Sequence, residues 1–185
     1  HGIILDGETF LEHLRKYVDN KWVKGVIVHI NSPGGVVGPS QEIYAELKRV
    51  REEYQKPVVA YASGVAASGA YYAAVAADKI VTNPGTPLGS IVVIMEFANL
   101  EELYSWAKVK PYVLKTGRYK DTGASYRSMR EDEKQLLQGL IDEVHHQFKT
   151  AVTESRELRQ NTVEQFADGR VFNGSTAAEN GFADV

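Results

Sequence analysis

Ser68 lies in the stretch Gly64-Val65-Ala66-Ala67-Ser68-Gly69-Ala70-Tyr71-Tyr72, after a strand-like run at 56–62 and before an Ala-rich helical segment. A hydroxyl at a strand-to-helix turn sits beside backbone N–H groups that have no partner inside the helix. Such groups favour negative charge nearby. Gly69 permits close backbone approach, so Ser68 Oγ could attack a carbonyl and leave the resulting oxyanion facing N–H donors. The same residue types also suit a plain helix start, or a small residue at a tight helix contact. The rest of the chain has to separate these readings.

A serine nucleophile needs a base. His13, His145 and His146 fall on helical surfaces, and His29 falls in a strand-like run where a buried imidazole with a backbone partner is expected. A Ser-His-Asp arrangement is therefore poorly supported, and the G-x-S-x-G elbow is absent around Ser68. Ser105-Trp106-Ala107-Lys108 and Lys115-Thr116-Gly117 match the S-x-x-K and K-T-G elements of β-lactamases. The third element, S-D-N, is missing, and the two matches lie too close together for that fold. A lysine remains. Lys115 and Lys120 flank a glycine-bearing loop that follows a strand-like run. A lysine amine titrates near ~10.4 in water, and burial lowers this by up to roughly 3–5 units. A neutral amine could then accept the Ser68 proton, although either lysine equally fits a solvated surface charge. Pro33-Gly34-Gly35 is a second turn of interest. Its glycines let the backbone bend sharply and expose consecutive N–H groups, as a plain strand-to-helix turn or as an anion cradle. It is not a phosphate-binding loop, because G-x-x-x-x-G-K-[ST] is absent.

Periodicity supplies the elements that would position these groups. Helical spacing covers 8–20, 40–54, 131–158 and 162–167, and a last helix starts near Ser175. In the longest of these, Leu136, Leu137, Leu140, Ile141, Val144 and Phe148 form the expected buried stripe. β-Branched or apolar runs at 23–30, 57–62, 79–82, 88–95 and 111–115 predict strands, with the first read as a buried parallel strand. A short helix is expected at 100–107, and residues 116–130 form a polar connection long enough to suggest a function. Alternating strands and helices indicate an α/β fold with right-handed crossovers. Both glycine-bearing turns then lie beyond the carboxyl ends of strands, where sites form in such folds. Asn173-Gly174-Ser175 fits a glycosylation sequon, a short pattern that arises often by chance.

Composition is ordinary for one globular domain spanning residues 1–185: 43% hydrophobic, 24% charged, with net charge −3. The absence of cysteine excludes disulfides, thiol catalysis and thiolate metal sites. No basic field suggests nucleic acid, and no run is long and apolar enough to span a bilayer.

Together the motifs carry a resemblance. Gly25-Val26-Ile27-Val28-His29-Ile30-Asn31-Ser32-Pro33-Gly34-Gly35, Ala66-Ala67-Ser68-Gly69-Ala70-Tyr71-Tyr72, Leu88-Gly89-Ser90-Ile91 and Lys115-Thr116-Gly117-Arg118-Tyr119-Lys120-Asp121 resemble, in order and spacing, the signal peptide peptidase A family of S49 serine peptidases. The segments 168–174 and 177–181 fit the same pattern, so the resemblance covers almost the whole chain. It implies a ClpP/crotonase-like superhelix of β-β-α units. It implies Ser68 as nucleophile, Lys120 as general base with Lys115 as second choice, and an oxyanion hole from Gly69 with Gly34 or Gly35. It also implies that Ser90 holds the Lys120 amine through a hydrogen bond. Ala70, Leu88 and Ser125-Tyr126 depart from the family's usual glycine, threonine and Ser-Pro, and bear on substrate preference more than on chemistry.

Both dyad members in one chain resemble the short, single-repeat form. The resemblance then implies a homo-oligomer without cofactor or metal, acting on remnant signal peptides and other unfolded segments. It also implies an N-terminal membrane anchor preceding His1, with the catalytic domain on the extracytoplasmic side of the cell membrane. A crotonase-like acyl-CoA hydratase or isomerase would use the same oxyanion logic, but it calls for paired carboxylates that neither glycine-bearing turn offers. A non-catalytic scaffold of the same fold would not need Ser68 and Lys120.

Overall fold

The strand that leads to Ser68 is the centre of the sheet. In the computed structural model, which describes every residue from His1 to Val185, β2 (Val58–Ala67) pairs in parallel with β1 (Val26–Ser32), β3 (Lys79–Thr82) and β4 (Leu88–Gly89). β4 in turn pairs antiparallel with β5 (Val171–Phe172). Successive side chains along a strand point to opposite faces, and here Val58, Ala60 and Ala62 are fully buried while their neighbours are partly exposed. The register with β1 runs evenly from Val26↔Val58 to Ile30↔Ala62, then shifts between Ile30 and Ser32. That irregularity ends the pairing just before the Pro33-Gly34-Gly35 turn.

The chain divides into two compact units, His1–Val92 with His146–Val185, and Val93–His145. The first holds the sheet and most of the core. α1 (Glu8–Val18) buries Leu11, Leu14 and Val18, and α2 (Val37–Glu52) buries Ile43, Leu47 and Val50. α3 (Gly69–Ala74) buries three alanines and Tyr71, whose hydroxyl donates to Phe182 O at 2.8 Å. Burial away from water pushes the Tyr71 phenol well above its ordinary range. α6 (Gln160–Phe166), β5 and α7 (Gly174–Glu179) close the unit through Phe166, Phe172 and Phe182, whose rings lie 4.9–5.2 Å apart. Asn173 caps α7 by accepting from Thr176 N at 2.9 Å.

The second unit contains α4 (Glu101–Trp106) and the first half of α5 (Glu131–Arg156). Its fold rests on charge more than on apolar burial. Glu133 is fully buried and accepts from Arg127, Arg130 N and Thr122.

Five expectations require correction. β1 lies at the sheet edge and exposes one face, with Ile27 74% exposed and His29 also exposed. The imidazole partners are side chains, Ser63 Oγ at 2.6 Å and His1 at 3.3 Å, not backbone. The 88–95 run is strand only at Leu88–Gly89, because Gly89 and Ser90 both have positive φ and end the extended path. Residues 111–115 form no strand. On α5, Phe148 is buried, but Leu136 and Leu140 are exposed and Leu137, Ile141 and Val144 only half-buried.

Candidate active site

Ser68 sits between the last residue of β2 and the first of α3, with φ 52° and ψ −127°. For a residue bearing a Cβ this is a strained conformation, costing about 1–3 kcal/mol. The surroundings hold it there. Ser68 N–H donates to Gly89 O at 2.8 Å, and Ser68 O accepts from Tyr72 N at 2.9 Å. The half-buried hydroxyl has no hydrogen-bond partner in the chain.

The Pro33-Gly34-Gly35 turn packs directly on this residue. Gly34 has φ +101°, and a Cβ placed there would lie 2.7 Å from Gly69 N and 2.8 Å from Ser68 Cβ. Only glycine fits such a contact. The two glycines differ in what their N–H groups do. Gly34 N–H donates to the buried Ser32 Oγ at 3.1 Å. Gly35 forms a parallel bridge with Ile4, in which Ile4 N–H donates to Gly34 O and Val36 N–H to Ile4 O, both at 2.8 Å. In such a bridge the central residue's own N–H faces the other way. Gly35 N lies 3.5 Å from the position a Cβ on Gly69 would take, and neither Gly35 N–H nor Gly69 N–H donates to any group of the chain. One free hydroxyl flanked by two free amide donors can attack a carbonyl and hold the oxyanion that forms.

Ser90 follows Gly89, whose register partner is Ala67, so Ser90 stands one step along the strand at the level of Ser68. Its φ is 51°, its N–H donates to Arg170 O at 2.9 Å, and its side chain is without a partner.

The lysines belong to the second unit, and there the two differ. Lys115 donates to Arg118 O at 3.3 Å and pairs with the carboxylate of Asp121. Asp121 also receives Arg127 at 2.9 Å and the Tyr126 hydroxyl at 3.0 Å. Arg127, then Lys115, hold the Asp121 carboxyl far below the usual carboxylate range. Arg127 continues to Glu133 at 2.6 Å, and its hydrogen bond is the main reason that carboxyl titrates at about 2. Lys120 lies in a turn of the same loop, exposed and without a side-chain partner, so within this chain it does not have the burial expected of a lysine base. Sequence reasoning found the lysines but missed Asp121, Arg127 and Glu133, which shape the loop around them. The only signal was the density of charge in a stretch without period.

Away from Ser68, His29 and Ser63 form a serine-histidine contact, at 2.6 Å. The other imidazole nitrogen meets His1 and no carboxylate.

Comparison with known proteins identifies the family. The model of Peptidase family S49 matches residues 51–185, and that of Clp protease matches residues 10–84. A putative protease of Synechocystis sp. is 41% identical over 91% of this chain and 60% of its own length. A putative signal peptide peptidase SppA of Enterococcus faecium is 33% identical over 96% of the chain and 51% of its own length. A chloroplastic serine protease SPPA of Arabidopsis thaliana is 33% identical over the whole chain and 27% of its own length. The chain thus spans at most about three-fifths of these relatives. The Clp protease match and the parallel sheet around β2 give it a ClpP/crotonase-like α/β fold. With the S49 match running from the end of α2 through the Ser68 turn to Val185, the chain belongs to peptidase family S49.

Proposed function

We propose that the protein is a serine endopeptidase that uses a Ser68–Lys120 dyad on remnant signal peptides and other unfolded segments. The observation that carries this reading is Ser68 itself, a strained, unpartnered hydroxyl between the free N–H groups of Gly35 and Gly69. Ser68 Oγ attacks the peptide carbonyl while the Lys120 amine takes its proton. The carbonyl oxygen becomes an oxyanion and accepts from Gly69 N–H and Gly35 N–H. The C–N bond breaks as Lys120 returns the proton to the leaving amine. Water, deprotonated by Lys120, then hydrolyses the acyl ester and releases Ser68.

One observation supports Lys120 over Lys115 as the base. Lys115 is committed to the Asp121 carboxylate, whereas Lys120 has no such partner. Gly34 N–H is already satisfied by Ser32 Oγ, which favours Gly35 as second oxyanion donor. Ser90, whose side chain is unpartnered, is the residue that the family resemblance assigns to steadying the Lys120 amine.

The second unit's exposed apolar side chains, among them Ile94, Leu103, Trp106, Tyr112, Leu114 and Leu140, support a homo-oligomer in which another copy covers them. No helix of the chain is long and apolar enough to cross a membrane. Attachment to the extracytoplasmic face through a preceding anchor rests on the family alone.

The test uses fluorescein-labelled casein and a fluorophosphonate probe. Ser68→Ala should abolish cleavage and labelling together. Lys120→Ala should lower kcat by about 10²–10⁴-fold, the usual contribution of a general base. Full cleavage by folded Ser68→Ala would end the proposal, and labelling at another serine would relocate the nucleophile.

A further inference from the structure

A buried hydroxyl outside the proposed dyad lies against the two segments that carry its oxyanion donors. Ser40, in the first turn of α2, is 2% exposed. Its Oγ donates to Val36 O at 2.8 Å, the carbonyl of the residue that follows Gly35. On its other side it meets Gly69. A Cβ on Gly69 would lie 2.2 Å from Ser40 Oγ and 3.1 Å from Ser40 Cβ. Ser40 therefore fills the space a side chain at position 69 would need, while holding the chain just beyond the other free amide. The two donors come from segments far apart in sequence, and one small side chain is in contact with both segments.

We infer that Ser40 is a positioning residue that sets the separation of the Gly35 and Gly69 N–H groups. The inference rests on the reading of Ser68 and those two amides as the reacting centre. An oxyanion hole works by holding its dipoles in place before charge develops, so its donors need a rigid mutual distance. Backbone groups cannot be held by rotamers of their own. They are held by what packs against them. Ser40 supplies that packing with a hydroxyl short enough to bond Val36 O and small enough to lie beneath Gly69. Its role in α2 is secondary, because alanine forms helix better than serine.

Ser40→Ala in the purified protein should lower kcat on labelled casein, and the rate of fluorophosphonate labelling, by about tenfold. That is part of the 10²–10³-fold lost when an oxyanion donor is removed outright. KM should stay within about twofold, since the loss belongs to the transition state. Gly69→Ala alone should be nearly inactive. Adding Ser40→Ala should restore part of that loss, because the 2.2 Å overlap disappears and the contacts that remain are 3.1 Å to Cβ of residue 40 and 3.5 Å to Gly35 N. Wild-type kcat in Ser40→Ala, or losses from the two substitutions that simply multiply, would overturn the inference. Should Ser40→Ala fail to fold, Ser40→Cys carries the same test. It keeps the shape but bonds weakly, so reduced kcat at unchanged KM supports the role and wild-type kcat refutes it. Ser68→Ala run alongside separates the levels. If it is inactive while Ser40→Ala is unimpaired, only the positioning role falls. If Ser68→Ala is active, the reacting centre is misassigned and both fall.

Discussion

Gly34→Ala tests the geometry of the site most directly. The residue has φ +101°, where an L side chain is strained by about 1–3 kcal/mol. A new methyl would also meet Gly69 N at 2.7 Å, Ala67 O at 2.8 Å and Ser68 Cβ at 2.8 Å. Two of these are backbone atoms, so no rotamer change relieves the overlap, and the 31–36 loop has to retreat from Ser68. In a chain of 150–250 residues each kcal/mol is worth about 2–4 °C, so the melting temperature should fall by about 5–10 °C. Retreat also withdraws Gly35 N–H, and loss of one oxyanion donor lowers kcat by about 10²–10³-fold. Gly38→Ala is the internal control. A Cβ there meets nothing within 4 Å, so activity should be unchanged and stability should rise by about 0.4–1 kcal/mol. Thermal unfolding followed by circular dichroism and casein cleavage below the transition measure both arms. A Gly34→Ala protein with wild-type kcat would show that the two turns do not need to touch for catalysis.

Further outcomes follow from the charge network and the core. The Glu133 carboxyl titrates at about 2 in the folded chain against an ordinary 4.5, so the folded state holds fewer protons than the unfolded state in this range. Its contribution to stability is complete above about pH 4.5 and is lost as pH falls through about 2. Amide exchange of residues 115–133 should accelerate across that window, and Glu133→Gln should remove the step; an unchanged profile would mean the network does not hold the loop. Tyr71→Phe removes the donor to Phe182 O. It should destabilise by about 1 kcal/mol and leave kcat untouched, which unfolding and cleavage assays on the same preparation would show.

Much of the fold was legible because local patterns carry it. The 56–62 run, the Ala-rich helix and the glycine turns announced a strand-to-helix junction at Ser68, and β2 and α3 stand there. The order of the motifs along the chain also carries the S49 family by itself. Misreadings came where burial depends on a distant partner. The 23–30 run is as apolar as a central strand, yet β1 is at the edge, since a sequence does not say how many neighbours a strand receives. The stripe on α5 has perfect helical spacing, yet nothing within the chain fully covers Leu136 or Leu140.

The sequence by itself determined which residues could react: a serine at a turn, two lysines in a loop, and glycines where the backbone must bend. Only the tertiary structure showed which of these groups are already engaged. Gly34 and Gly35 are the same residue type in one turn, but Ser32 Oγ occupies one amide and leaves the other free. Lys115 and Lys120 share one loop, but Asp121 engages one amine and not the other. Residue type sets what a group can do, while its availability depends on partners brought from far along the chain, which no local pattern encodes.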